Sequence, residues 1–211
     1  MDMDKNIIIT IGREYGSGGR TIGKTLAAEL GYSFYNREII EMAAKKTGMS
    51  EDTFEKVDET AASSLLYSIA TGAYTFNNFI SPQVNLPLND KLFIVQSEII
   101  KGIAAKECAV IVGRCADYIL KDSSNIVINI FIHAPSKDRK QRAIKEYGID
   151  PNKADAYVGK MDKKRRSYYN YYTGNHWSES SNYDLCLDSS KLGIEGCVKV
   201  IETYIEQIKN K

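Results

Sequence analysis

The stretch Asn6-Ile-Ile-Ile-Thr-Ile-Gly12-Arg-Glu-Tyr-Gly16-Ser-Gly18-Gly19-Arg20-Thr21 decides the fold. An apolar, β-branched run from Ile7 to Ile11 has the character of a parallel strand buried on both faces. It feeds a glycine-rich turn, and Ile22, Leu26, Ala27 and Leu30 then recur at helical spacing. Strand, glycine turn and helix in that order have the architecture of a phosphate-binding loop; the other reading is a flexible strand-to-helix turn of the kind any α/β protein can carry. Glycines let the backbone pass close to an anion with its amides turned inward, and the helix N-terminus adds a partial positive charge.

At 211 residues, the chain has room for one domain with a lobe or for two small domains. A hydrophobic fraction of 43% is enough for a sizeable core. Lysine and arginine (28) nearly cancel aspartate and glutamate (27), so bulk charge gives no case for nucleic acid or membrane binding. Any anion has to be bound by local basic residues. The acidic start Met1-Asp-Met-Asp-Lys has neither the charge nor the apolar core of a signal peptide, and no membrane-spanning run occurs. The cysteines Cys108, Cys115, Cys186 and Cys197 lack metal-ligand spacing. They are expected as buried or half-buried free thiols in a reducing cytoplasm.

Along the chain, Gly31 ends the first helix and Tyr32–Tyr35 predicts a second strand. Asn36 is placed to cap a helix from Arg37 to Lys46, and Ser50 to start another. Ala61 to Ala70 is expected to be helical. Gly72 to Leu88, with two prolines and three asparagines, is expected as a long loop in a substrate-covering insertion. A helix from Asp90 to Ala105 follows, then strands at Ala109–Val112 and Ile126–Ile132. Helices are predicted at Ser136–Tyr147 and from Pro151 to about Tyr169, a last strand at Tyr183–Leu187 and a closing helix at Gly193–Lys209. This alternation predicts an α/β fold: a parallel five-stranded sheet with helices on both faces, three layers in all.

Two further segments carry chemistry. Gly113-Arg114-Cys-Ala-Asp117 follows a predicted central strand, at the sheet edge where α/β proteins bind ligands. Its arginine can grip a phosphate bidentately, and Asp117 can orient a group or a metal. The other reading is a surface arginine and a capping aspartate. The segment Lys160 to Tyr172 places four cations, Lys163 to Arg166, before four tyrosines as a local anion trap. A solvated helix end or RNA contact through stacked tyrosines are the alternatives. Arg139 and Arg142 lie on the preceding helix.

In order, the motifs Gly16-Ser-Gly18, Gly113-Arg114, Asp162-Lys-Lys-Arg165 and Asp184-Leu-Cys-Leu-Asp188-Ser-Ser-Lys-Leu-Gly-Ile-Glu195 resemble those of cytidylate-kinase-like proteins, within the P-loop nucleoside monophosphate kinases. The resemblance implies a single kinase domain over residues 1–211, with an acceptor-binding insertion at about 48–105 and a lid at about 150–182. It implies that Gly16, Ser17, Gly18, Gly19, Arg20 and Thr21 hold ATP, with Thr21 toward Mg²⁺. Arg114 would hold the acceptor's phosphate, and Asp184 its sugar or base. Arg139, Arg142 and Arg165 would be lid arginines closing on the transferred phosphoryl group. Arg37 falls where the acceptor helix begins, although the family's Asp-x-Gly-x-x-Tyr-Arg segment is absent.

Two positions depart from the family. Gly19 stands in the slot of the loop lysine, and Val112 in that of the acidic residue before Gly-Arg. Arg20 or Lys24 are the candidates to replace the first, and Asp117 the second. The resemblance thus implies a cytoplasmic enzyme that phosphorylates a CMP- or dCMP-like nucleotide. The alternatives are a nucleotide-binding sensor of the same fold without catalysis, or a kinase for another small acceptor.

Overall fold

The computed structural model describes residues 5–50 and 87–210. Expectations for the helix from Ser50, for Ala61 to Ala70 and for most of the 72–88 loop lie outside the described residues.

Five strands form one parallel sheet in the order β2-β3-β1-β4-β5. They are β1 (Ile7–Arg13), β2 (Ser33–Tyr35), β3 (Ala109–Val112), β4 (Ile126–His133) and β5 (Leu185–Asp188). β1 is central, with Ile9 in register with Val110 on one side and Ile128 on the other. That position explains why Ile7 to Ile11 is apolar on both faces and buried throughout. Thr10 is the polar member of the run. It is satisfied by donating its hydroxyl to Asn129 Oδ1 of β4 at 2.7 Å.

The first helix, α1 (Gly19–Leu30), buries Ile22, Leu26 and Ala27 on one face of the sheet. Ile9, Ile11, Val110, Val112, Ile128 and Ile130 meet them there, with Cys197, Val198, Ile201 and Ile205 of the last helix. Pleating sends Ile8 and Ile111 to the opposite face, and both are fully buried. The three-layer expectation holds.

The remaining helices are α2 (Glu38–Thr47), α3 (Leu88–Ala104), the single turn α4 (Ala116–Ile119), α5 (Ser136–Tyr147), α6 (Ala154–Thr173) and α7 (Ser189–Lys209). Several boundaries differ from expectation for local reasons. α2 begins at Glu38 with Arg37 as its N-cap and no side-chain cap, so Asn36 does not take that role. α6 starts three residues after Pro151, because Asp150 closes a turn by accepting from the Asn152 and Lys153 amides. α7 begins at Ser189, capped by Asp188 accepting from the Ser190 amide at 2.9 Å; Gly193, at φ 67°, kinks it where the sequence pattern had placed its start. Cys186 is exposed, against expectation, because β5 is an edge strand; Cys115 and Cys197 are buried and Cys108 is half-buried.

The chain divides into two compact units, Met1–Asn36 with Ile100–Lys211, and Arg37–Ile99. The first contains the sheet. In the second, α2 buries Ile39, Ile40, Ala43 and Ala44 and ends at Gly48, and Lys46 pairs with Glu98 at 2.7 Å on the surface. No helix among the described residues is long and apolar enough to cross a membrane.

Candidate active site

The C-terminal ends of parallel strands all lie on one edge of the sheet. Here that edge gathers Arg13, Gly113, His133 and Asp188. The chain leaves β1 toward β2 on one side and returns through β3 to β4 on the other. The glycine loop therefore stands where the strand order reverses, the place at which α/β sheets bind ligands.

Glycine is required at two loop positions, Gly16 at φ 77° and Gly18 at φ 82°. Around them the loop is held from outside by its carbonyls. Arg139 Nη1 donates to the Tyr15 carbonyl at 3.2 Å and Arg142 Nη1 to the Gly16 carbonyl at 2.9 Å. The buried Ser189 hydroxyl donates to the Ser17 carbonyl at 2.6 Å. In a planar trans peptide the N–H points opposite to the C=O. Drawing the Tyr15 and Ser17 carbonyls outward therefore turns the Gly16 and Gly18 amides inward. No side chain caps α1, so the amides of Gly19, Arg20 and Thr21 also point out of its N-terminus.

The loop's root is equally constrained. The Glu14 amide donates to the Ile132 carbonyl at 3.0 Å, and its carboxylate accepts from the Ala134 amide and pairs with Arg139 Nε at 3.3 Å. Both the amide and the hydroxyl of Ser17 donate to the Glu14 carbonyl, so Ser17 closes the turn rather than offering a donor to a ligand. Asp162 of α6 is 7% exposed and accepts from the Tyr15 amide at 2.7 Å and from Arg139 at 2.5 Å. Three residues on, Arg165 donates to the Arg13 carbonyl at 3.0 Å and lies over the Tyr15 ring, 5.3 Å from its centre. Tyr15 itself is wedged edge-on between Tyr147 and Tyr157, and burial pushes its hydroxyl up to about 12.

The structure thus gathers Gly16 to Thr21, Arg20, Arg114 and Arg165 at one place, and adds Arg13, whose charged neighbours are Arg165, Arg114 and Arg20. Burial first, and then those like charges, hold the Arg13 guanidinium well below its ordinary value, and burial lowers Arg165 as well. Arg114 is presented by three successive positive φ angles, at Gly113, Arg114 and Cys115, a strained backbone of the kind found at functional sites.

Several expected residues are exposed or engaged in other contacts. Arg139 and Arg142 grip the outside of the loop rather than facing its interior. Lys24 is exposed one turn up α1 and takes part in none of the loop's bonds. Thr21 is exposed, and the loop pattern's hydroxyl slot, two residues after Gly18, falls on Arg20 instead. Asp184 precedes β5; its amide donates to the Asn129 carbonyl and its carboxylate accepts from the Asn129 amide, both at 2.7 Å. It clamps the start of a strand, a strand length from the loop edge. Arg37 is exposed and belongs to the second unit.

Asp117 accepts from the Tyr169 hydroxyl at 2.6 Å, a tie between α4 and α6. Burial raises its carboxyl above the ordinary range, with the Tyr169 bond pulling partly back. A folded-state value above the unfolded one means that stability is complete below the unfolded carboxylate range and falls as pH rises through the folded value. The Asp117→Asn variant, which still accepts from Tyr169, is therefore expected to be the more stable protein at pH 7. Its advantage should shrink as the pH falls toward 4 in urea titrations. An advantage that grows on acidification would contradict this assignment.

A glycine loop at the end of the central strand of a 2-3-1-4-5 parallel sheet, ringed by arginines, defines a P-loop kinase fold. The chain belongs to the Cytidylate kinase-like family, whose sequence profile matches residues 8–191. Over 207 residues it is 27% identical to a cytidylate kinase of Pyrococcus abyssi, covering 97% of each chain. A cytidylate kinase of Thermococcus kodakarensis is 25% identical over 96% of this chain and 89% of that one. Among solved structures, an uncharacterized protein from Eubacterium ventriosum aligns with TM-score 0.69 at 29% identity, covering 95% and 99% of the two chains. Shikimate kinase from Acinetobacter baumannii, in complex with shikimate, aligns over 98% and 96% at TM-score 0.52 and 13% identity, which shows shared fold alone. Family and fold together support nucleotide kinase activity.

Arg13, Glu14, Tyr15, Asp162 and Ser189 are the site residues that motif reading did not single out as ligand-binding. Arg13 did carry a signal, since it occupies the first glycine slot of the Gly-x-x-x-x-Gly-Lys pattern.

Proposed function

We propose that the protein transfers the γ-phosphoryl group of ATP to a nucleoside monophosphate of the CMP or dCMP type. The observation that carries this reading is the loop whose carbonyls are held outward by Arg139, Arg142 and Ser189 while Arg13, Arg20, Arg114 and Arg165 gather beside it. Inward amides and guanidinium groups suit a polyphosphate, and phosphoryl transfer needs little beyond positioning and charge neutralisation. Among the described residues no group of three His, Cys, Asp or Glu side chains is placed to hold a metal, and the Glu14 and Asp117 carboxylates already accept hydrogen bonds. Mg²⁺ fits here as an ion carried in on the nucleotide's own phosphates, which it characteristically is.

In this scheme the loop amides orient the donor and Arg114 grips the acceptor phosphate. Arg165, anchored beside Tyr15, keeps the basic side of α6 against the loop and excludes water. Arg114→Ala should raise the acceptor's KM by roughly 10- to 100-fold, the loss of a bidentate charge-assisted contact. The donor's KM should change less than about threefold, since Arg114 lies off the loop's own amides. ADP release measured against a panel of monophosphates reads both, and an unchanged acceptor KM would remove Arg114 from this role. Gly19 and Val112 favour the second reading, a nucleotide sensor. Nucleotide binding without any ADP release would establish that reading over the first.

A further inference from the structure

The general phosphate-loop pattern Gly-x-x-x-x-Gly-Lys places a glycine where this chain has Arg13 and a lysine where it has Gly19. In sequence these look like two unrelated departures. In space the positions touch. A Cβ atom on Gly19 would stand 2.7 Å from Arg13 Cβ, 3.2 Å from its Cγ and 3.3 Å from Ile132 Cβ, with β4 closing the far side. A side chain at position 19 and one at position 13 therefore exclude each other. A chain that carries arginine at the end of β1 must carry glycine at the start of α1.

The Arg13 side chain then runs past Gly19 toward the end of β3. Its Nη1 occupies the space a Cβ on Gly113 would need, so Gly113 is also matched to it. This puts the guanidinium between the glycine loop and Arg114. No carboxylate among the described residues pairs with it, and its charged neighbours are Arg165, Arg114 and Arg20. A half-buried cation among cations is unfavourable until an anion arrives.

Resting on the phosphate-loop reading above, we propose that the Arg13 guanidinium supplies the charge that the loop lysine supplies elsewhere, binding the terminal phosphates of the donor, and that Gly19 is the compensating change that makes room for it. A planar fork replaces a point charge, so two phosphate oxygens can be held at once. The missing lysine is then a relocation rather than a loss, and neither Arg20 nor Lys24 is needed in its place.

The test uses the whole chain and calorimetric binding of inorganic tripolyphosphate and of ADP with magnesium, neither of which requires turnover. Arg13→Ala should weaken both by at least about tenfold, the loss of a charge-assisted bond. Arg13→Lys should retain most of the affinity. Gly19→Lys alone should lose stability and gain no affinity, because Arg13 fills the space. The double variant Arg13→Gly with Gly19→Lys restores the general Gly-x-x-x-x-Gly-Lys pattern and should bind within about threefold of the unaltered protein. Unaltered affinity in Arg13→Ala, or a double variant no better than Arg13→Ala while its melting curve remains cooperative, would overturn the relocation and leave the kinase reading intact. If the unaltered protein bound neither ligand at millimolar concentration, the phosphate-loop reading itself would fall, and this inference with it.

Discussion

Asp162→Ala is expected to lower the unfolding free energy by about 3 kcal/mol, as removing one partner of a buried ion pair does. It should also weaken nucleotide binding through the loop. A single carboxylate holds both the Tyr15 amide and Arg139, and those residues lie 147 and 23 positions away in sequence. Both side chains of the pair are nearly enclosed, at 11% and 10% exposure. Alanine would leave the arginine with Glu14, at 3.3 Å, as its carboxylate partner beside two backbone carbonyls, and would strand an amide at the turn. Asp162→Asn keeps an acceptor for the Tyr15 amide but removes the charge, so it should fall between the two. Urea unfolding of the three proteins checks the order. A cost below about 1 kcal/mol for alanine would place Asp162 with ordinary surface ion pairs and detach α6 from the loop's stability.

Gly16→Ala is expected to be the most damaging small substitution in the loop. The added methyl would overlap the Arg139 carbonyl oxygen and lie 3.0 Å from its carbon and 3.1 Å from its Cα, all backbone of α5. Neither side can yield, and the residue also sits at φ 77°. Left-handed backbone and overpacking together predict a cost of about 3 kcal/mol. Loss of nucleotide affinity should accompany it, by at least about 100-fold if the displaced amides are the phosphate donors. Gly18→Ala is the control. At φ 82° it bears the same backbone cost, but its close neighbours are the Ile194 Cδ1 methyl at 2.8 Å and the Arg142 guanidinium, both ends of flexible side chains. It should lose only about 1–2 kcal/mol. Equal losses at the two positions, read by thermal melting and calorimetry, would show that backbone conformation alone governs the loop.

Both substitutions act on contacts whose legibility in the sequence differs. The demand for glycine at positions 16 and 18 is local: a strand must turn into a helix within five residues, and the sequence displays this directly. The tie from Asp162 is not local. Asp162 stands in a basic helical segment and looks there like an ordinary helix carboxylate. Only the packing of α6 beside the loop shows that it receives the Tyr15 amide. Arg139 and Arg142 show the same limit from the other side. Their place on one helix, Ser136–Tyr147, was readable. Which side of the loop they grip was not, because Tyr15 and Gly16 offer carbonyls outward as well as amides inward.

By itself the sequence determined the periodic content of this protein. The buried runs of β1, β3 and β4, the glycine turn and the helices on either face follow from side-chain period and backbone sterics, which act between near neighbours. Tertiary structure alone decided which charges meet. Arg13 and Gly19 appear as two separate departures from a motif until the fold packs them together, so closely that a Cβ on Gly19 would stand 2.7 Å from that of Arg13. The sequence offered Asp117 as a group- or metal-orienting carboxylate, and gave no sign of its bond from Tyr169, 52 residues on. Partner choice among charged and polar groups depends on desolvation and on distances across the chain, and no local pattern encodes either.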